Sequence, residues 1–458
     1  MMVKRVYFIG IGGIGMSAIA RYYNHSGISV AGYDRTRSKL TEELEGEGIS
    51  IHYEDNCSLI PEEFIGAREK TLVIYTPAVP GDMTELQYFI QNGYNIVKRS
   101  KALGVIAAQK KCLAVAGTHG KTTTSTLLAH IMTHSGRGCT AFLGGISKNY
   151  HSNLLLSKSE YLVAEADEFD RSFLQLYPDT AIITAADADH LDIYGNTGKF
   201  KEAFAEFASQ IKEGGNLILK KGVEIDQSRI KAKIYSYSYD KEADFYASEI
   251  NQVEGGFFRF NLNHPGGVIK ECRLGIPGWV NTENAIAASA AAILNGINEE
   301  ELRGALADFK GVERRFDIKL NTPECAYIDD YAHHPQEIRA AISSMRNIFA
   351  GRRLTGIFQP HLYTRTRDFA SEFAESLSAL DSLILLDIYP ARELPIEGVT
   401  SKIIFDKVTI QDKVLITKEE LLPLIEQRDT DALISFGAGD IDRFTGPLTN
   451  LLKKKYNV

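Results

Sequence analysis

A phosphate cradle is the chemistry spelled by AGTHGKTTTS, residues 116–125. Gly117 and Gly120 free the backbone to wrap an anion, Lys121 offers a point charge, and Thr122 offers a hydroxyl to a metal ion. Those are the parts needed to hold ATP or GTP phosphates with magnesium. Thr118, His119 and Thr123 belong to the same run and complete the candidate triphosphate site. The spelling departs from the common phosphate loop, which sets a glycine, four residues, then Gly-Lys-Ser/Thr. Counted back from Gly120, the first glycine falls where Val115 stands.

Magnesium needs oxygen ligands. Glu165 ends the strand-like YLVAEAD, and His190 follows TAADAD. Strand C-termini of a parallel sheet gather on the edge that carries the phosphate loop. Glu165 is therefore expected to face a metal held by Thr122. His190 reads either as a second ligand or as a strand cap. Of the acidic neighbours Asp167, Glu168, Asp170, Asp187, Asp189 and Asp192, most are expected to be solvated or to cap helices.

A second glycine cluster opens the chain. Gly10, Gly12, Gly13 and Gly15 fit GxGxxG between a strand and a helix, and Asp34 closes the next strand. The pattern lets backbone and helix N-terminus approach a pyrophosphate. Read alone it suits NAD or FAD, another diphosphate such as a UDP-sugar, or an unliganded tight turn.

The elements that must position these groups alternate, strand then helix, through most of the chain, which predicts an α/β fold with parallel sheets. Strands are expected at 3–11, 29–34 and 71–79, with helices at 17–27 and 84–92. A second unit opens with KCLAVAG (111–117) feeding the quoted loop and a helix closed by Gly136. Strands at 160–167 and 180–189 follow, then a β insertion over 233–274 and an alanine-rich helix at 284–296. A third unit begins near 315, with strands at 326–331, 353–360, 381–389 and 431–439. The expected domains are 1–107, 108–314 and 315–458.

The bulk numbers agree with that plan. The 458 residues suit two to four domains, and 44% apolar with 24% charged residues is a soluble globular profile. A net charge of -8 disfavours general nucleic-acid binding. Five cysteines with no CxxC pair disfavour zinc and disulfide frameworks and suit the cytoplasm. The glycine-studded start does not read as a secretory signal, and no apolar run reaches membrane-spanning length.

GTHGKTTT (117–124), AEADEFD (164–170), DHLD (189–192), DDYAHHP (329–335) and FQPHLYTRTRDF (358–369), in this order, resemble the Mur ligases along nearly the whole chain. The resemblance implies three domains: an N-terminal Rossmann-like domain for a UDP-sugar, a central P-loop ATPase-like domain with a parallel sheet, and a C-terminal Rossmann-like domain that closes over the site. It implies ATP-dependent ligation of L-alanine to the lactyl carboxylate of UDP-N-acetylmuramate through an acyl phosphate. It turns the glycine cluster with Asp34 from a dinucleotide site into a UDP-sugar site, and the shortened phosphate loop into an ATP site. By the same resemblance Thr122, Glu165 and His190 hold magnesium, Asn281 and Asn284 lie on the adenine side, and Arg314 contacts phosphate. Asp330 holds the ribose, and Lys121, His333 and Arg365 serve the reacting groups. The chain departs from the family pattern at Val280, Thr184-Ala185 and Leu362. Leu362 replaces a substrate-contacting arginine, a role left to Arg365 or Arg367. A sister ligase adding another amino acid or a peptide is the nearest rival. An NAD-dependent oxidoreductase would leave the phosphate loop, Glu165 and His190 unexplained, and a nucleotide-dependent switch would show nucleotide-driven partner binding with ATP turnover independent of an amino acid.

Overall fold

The computed structural model describes residues 3–66, 68–187, 191–391 and 393–458, with backbone alone at 191, 192 and 254. The described residues form three sheets of five, ten and six strands, all rich in parallel pairs. Two compact units enclose them. One comprises Met1–Asn251, Arg259–Ile276 and Asn281–Lys310; the other comprises Gln252–Phe258, Pro277–Val280 and Gly311–Val458.

The five-stranded sheet is wholly parallel and places Arg5–Ile9 at its centre, between Ser29–Tyr33 and Thr71–Tyr75. Ser50–His52 and Asn95–Lys98 complete its edges. The glycine turn links Arg5–Ile9 to the helix Ile14–His25, which begins three residues earlier than expected because the turn is complete at Gly13. Arg21, only 6% exposed, ties this helix to the ten-stranded sheet by donating to Asn153 Oδ1 at 2.6 Å. Asn153 Nδ2 donates in turn to Ile14 O (2.6 Å) and Ser17 Oγ (2.9 Å). The start of the glycine-turn helix is thereby fixed to the sheet that bears the phosphate loop.

One buried network stiffens this first sheet. Tyr7 OH donates to Glu85 Oε2 at 2.7 Å and lies 2.7 Å from His52 Nε2. His52 Nδ1 sits 2.9 Å from Glu54 O, so Nδ1 carries the imidazole proton. Burial pushes the Glu85 carboxyl up to about 7, against hydrogen bonds from Tyr7 and Asn56. Between the usual value of 4.5 and about 7 the native state keeps a proton that the unfolded chain has lost. The contribution of Glu85 therefore falls as pH rises through that window. Glu85→Gln is expected to unfold at a higher temperature than the parent above pH 7, by the equivalent of about 1–3 kcal/mol. The gap should close towards pH 4.5, and thermal melts across pH check it; a pH-independent gap would contradict it.

The ten-stranded sheet holds Lys111–Ala116 in parallel between Tyr161–Ala166 and Thr180–Ile183. These are apolar runs buried on both faces, as a covered parallel strand requires. The segment expected as a β insertion does form strands (Lys233–Ser238, Phe245–Val253, Phe257–His264 and Gly267–Arg273), and they extend this sheet instead of standing apart from it. The sheet is mixed, since its two end pairs are antiparallel. In the second unit the strands Ala326–Asp330, Leu354–Phe358, Ser382–Leu386, Lys413–Ile416 and Ala432–Phe436 run parallel, with Asp317–Asn321 antiparallel at one edge. Apolar clusters fill both faces of that sheet. No helix among the described residues is long and apolar enough to cross a membrane.

Candidate active site

The phosphate loop sits where the strand Lys111–Ala116 gives way to the helix Lys121–His134. Gly120 is the helix N-cap with φ +79°, and a Cβ there would stand 2.5 Å from Asn284 Oδ1. Gly117 has φ +136°, and a Cβ on it would stand 2.1 Å from Thr184 Oγ1. The backbone at both positions is one that side chains disfavour and that leaves no room for one. Thr184 Oγ1 donates to Ala116 O at 3.2 Å and also meets His119 O. Thr118 N donates to Ala185 O at 3.3 Å. The strand expected over 180–189 therefore ends at Ile183, because Thr184 and Ala185 leave the sheet pattern to brace the loop.

Lys121 Nζ donates to Gly117 O at 2.7 Å and to Glu168 Oε1 at 2.9 Å. Glu168 Oε2 lies 2.8 Å from the same nitrogen, as an ion contact without hydrogen-bond alignment. Burial opposes the charge on Lys121, but Glu168, Asp167 and Glu165 outweigh it and hold the ammonium above its ordinary pKa. Glu168 is 2% exposed, and Asp167 and Asp170 pair with Arg99 and Lys98 at 3.1 and 2.7 Å. These three acids, expected among mostly solvated or capping residues, are instead paired with cations. Asp189 and His190 lie outside the described residues, and the side chain of Asp192 is not described.

Glu165 stands near the C-terminal end of Tyr161–Ala166, with its carboxylate over Gly144, where a Cβ would be 2.0 Å from Oε2. Its Oε2 is buried with no hydrogen-bond partner. A buried, unmatched carboxylate oxygen beside the loop is a fit for a divalent cation, and Thr122 at the start of the loop helix adds a hydroxyl. Among the described residues no three His, Cys, Asp or Glu side chains form a metal cage. A magnesium ion shared with phosphates and water does not need one. Asn281 and Asn284, 8% and 7% exposed, belong to the helix Trp279–Leu294, which starts five residues ahead of its expected position.

At the other glycine cluster, Gly12 N donates to Asp34 Oδ2 at 2.7 Å, and Thr36 N donates to Asp34 Oδ1 at 3.0 Å. Asp34 thus braces the turn. Gly10 has φ +85°, Gly13 N-caps the following helix, and the site of a Cβ on Gly15 is 2.5 Å from Arg99 Nη1. Arg99 follows the strand Asn95–Lys98 and carries no motif, so only the fold brings it to this turn.

In the second unit Arg314 (φ +61°) donates from Nε to Asp329 Oδ2 at 3.0 Å and from Nη2 to Gly437 O at 2.7 Å. Its guanidinium lies 5.2 Å from the Tyr331 ring centre. Asp330 accepts from Ala332 N (2.9 Å) and Phe316 N (3.2 Å). Desolvation lifts the Asp330 carboxyl to about 7 against the pull of Arg315. His333 Nδ1 lies 3.0 Å from Tyr331 O, which assigns its proton to Nδ1 and leaves Nε2 as an acceptor. Burial pushes His333 down to about 4 against Glu337, and the nearby Arg365 adds to the depression. Arg365 is 8% exposed, whereas Arg367 is exposed and paired with Asp368 at 2.7 Å. Leu362 adopts φ +69°, an uncommon conformation for a branched residue.

Comparison with known proteins follows this layout. Family models described as "Mur ligase family, catalytic domain", "Mur ligase middle domain" and "Mur ligase, glutamate ligase domain" match residues 5–111, 115–292 and 314–439. A UDP-N-acetylmuramate–L-alanine ligase of Porphyromonas gingivalis (strain W83) is 52% identical over 456 residues, covering 98% of this chain and 99% of its own. One of Parabacteroides distasonis is 53% identical over 455 residues, covering 99% and 98%. The crystal structure of a UDP-N-acetylmuramate-alanine ligase from Thermotoga maritima superposes with TM-score 0.83 at 27% identity, covering 98% and 99% of the two chains. A MurF ligase from Thermotoga maritima in complex with ADP shares the fold, with TM-score 0.62 at 16% identity and 84% and 95% coverage. With three family segments in chain order and full-length relatives more than half identical, this chain belongs to the Mur ligase family.

Proposed function

We propose that the protein joins L-alanine to the lactyl carboxylate of UDP-N-acetylmuramate, consuming ATP and releasing ADP and phosphate. The observation that carries this reading is the 52% identity, over nearly the full length, to a ligase of that name. The geometry of the phosphate loop supports the ATP chemistry. A carboxylate is a poor electrophile, so its oxygen first attacks the γ-phosphorus and ADP departs. The amine nitrogen of L-alanine then attacks the acyl carbon, and phosphate leaves.

Transfer between two anions depends on positioning and charge neutralisation. Lys121 and the backbone of Gly117–Thr123 supply both to the triphosphate. Thr122 and Glu165 would hold magnesium, with His190 at a second ion; when bound, the metal neutralises phosphate charge. Asn281 and Asn284 flank the adenine side, Arg314 serves phosphate and Asp330 the ribose. His333, neutral at pH 7, offers Nε2 to a hydrogen of the incoming amine, and Arg365 orients a carboxylate. Gly10, Gly12, Gly13 and Gly15, with Asp34 bracing them, receive the diphosphate of the UDP-sugar. We assign the three domains to 1–107, 108–314 and 315–458 and the chain to the cytoplasm.

An ADP-release assay with each substrate omitted in turn tests the reading. Steady turnover is expected only with magnesium ATP, UDP-N-acetylmuramate and L-alanine together. Turnover indifferent to the amino acid would sink it. Turnover driven by a peptide in place of L-alanine would move the assignment to a sister ligase.

A further inference from the structure

Lys121 meets Glu168 in an arrangement that a triphosphate has to undo. A lysine ammonium has three hydrogens. One is given to Gly117 O and one to Glu168 Oε1, while Glu168 Oε2 stands at 2.8 Å. The lysine charge and two of its three donors are already matched inside the protein. Glu168 is 2% exposed, so water cannot take over its carboxylate when the lysine turns away.

The segment carrying Glu168 is held from several directions. Tyr194 OH donates to Glu168 O at 2.6 Å, and Phe173 N donates to Asp167 O at 2.8 Å. Arg99 and Lys98, at the end of the first sheet, grip Asp167 and Asp170 on either side. Asp170 and Arg171 both adopt positive φ (53° and 54°), a conformation that persists in non-glycine residues only where the surroundings enforce it. Glu168 is thus set in place opposite Lys121, not met by chance.

We propose that Glu168 is a positioning residue that clasps Lys121 before nucleotide binds and is exchanged for the phosphates when ATP binds. The proposal rests on the reading that Gly117–Thr123 receive ATP. Part of the affinity for nucleotide is spent on breaking the clasp, because removing one partner from a buried ion pair leaves the other uncompensated. Taking away the carboxylate should therefore strengthen nucleotide binding, an outcome that a merely structural role for Glu168 would not produce.

The test is titration calorimetry of magnesium ATP into the full chain without the other substrates. Glu168→Gln is expected to bind about tenfold more tightly than the parent. Should that variant fold poorly, Glu168→Asp, which withdraws the carboxylate by one methylene, is expected to shift affinity in the same direction by less. Asp167→Asn removes an equal charge one residue away, on a side chain paired with Arg99 and not bonded to Lys121, and is expected to tighten binding by less than Glu168→Gln does. Unchanged or weaker binding in both Glu168 variants overturns the clasp, as does equal tightening in Asp167→Asn, which would signal only the general field of the acidic cluster. A parent protein that binds no nucleotide would overturn the reading of the loop, and the clasp with it.

Discussion

Lys121→Ala is expected to abolish product formation, with turnover reduced by at least about 10²–10³-fold, the scale on which single preorganised electrostatic groups act. The reason is local. The loop between Ala116 and Thr124 contains no other lysine or arginine, and its backbone N–H groups and hydroxyls carry partial charges that orient an anion without cancelling it. The substitution also strands Glu168, 2% exposed, beside an empty space. Loss of one partner of a buried pair destabilises by about 3–5 kcal/mol, so lost activity alone could report lost fold. The pair of substitutions Lys121→Ala with Glu168→Gln separates the two. Removing both charges should recover most of the thermal stability and none of the turnover. ADP release measured beside thermal unfolding checks this, and near-normal turnover in the single variant would refute the role given to the loop.

What could be read from the chain before any coordinates divides along a physical line. The two glycine-rich turns were legible because each is a local event: a strand, a backbone that needs glycine, and a helix start within a dozen residues. Gly120 at φ +79° on the N-cap is what Gly-Lys-Thr-Thr spells. The parallel strands were legible as short apolar runs, although their ends were not. Thr180–Ile183 stops early because Thr184 is needed by a loop more than sixty residues away in sequence. The helix Trp279–Leu294 begins ahead of its alanine run, since Asn281 and Asn284 take helical positions in which nothing local marks them as helical. Arg99 and Glu168 show the limit most clearly. Arg99 sits in a plain basic stretch, and Glu168 is one acid among several. Only folding brings the first to Gly15 and Asp167 and the second to Lys121. Family resemblance supplied the roles proposed for Arg314, Asp330, His333 and Arg365. The fold adds what a motif cannot: an Nε2 acceptor on His333 defined by Tyr331 O.

The second large effect is expected at Glu165, whose buried Oε2 has no hydrogen-bond partner. Leaving a buried carboxylate oxygen unmatched is costly, and native proteins rarely do so without a reason such as an ion. Glu165→Gln keeps the shape over Gly144 but gives up the charge and replaces one oxygen with an amide nitrogen that cannot bind a cation. Outer-shell partners of metal ligands cost about 10–100-fold in metal affinity or activity when lost, so a direct ligand should cost at least about as much. The magnesium concentration for half-maximal ADP release should rise by at least about tenfold, with part of the rate recovered at high magnesium. Thr122→Val, which exchanges the hydroxyl for a methyl group, should move the same titration in the same direction. The stability signature runs the other way. Without metal, Glu165→Gln removes the cost of holding an unmatched carboxylate oxygen in a buried position, so the variant should unfold at a temperature equal to or above that of the parent. Opposite signs in the two measurements distinguish a ligand from a packing residue, which would lose stability and activity together. A magnesium titration unchanged by Glu165→Gln would remove Glu165 from the metal site.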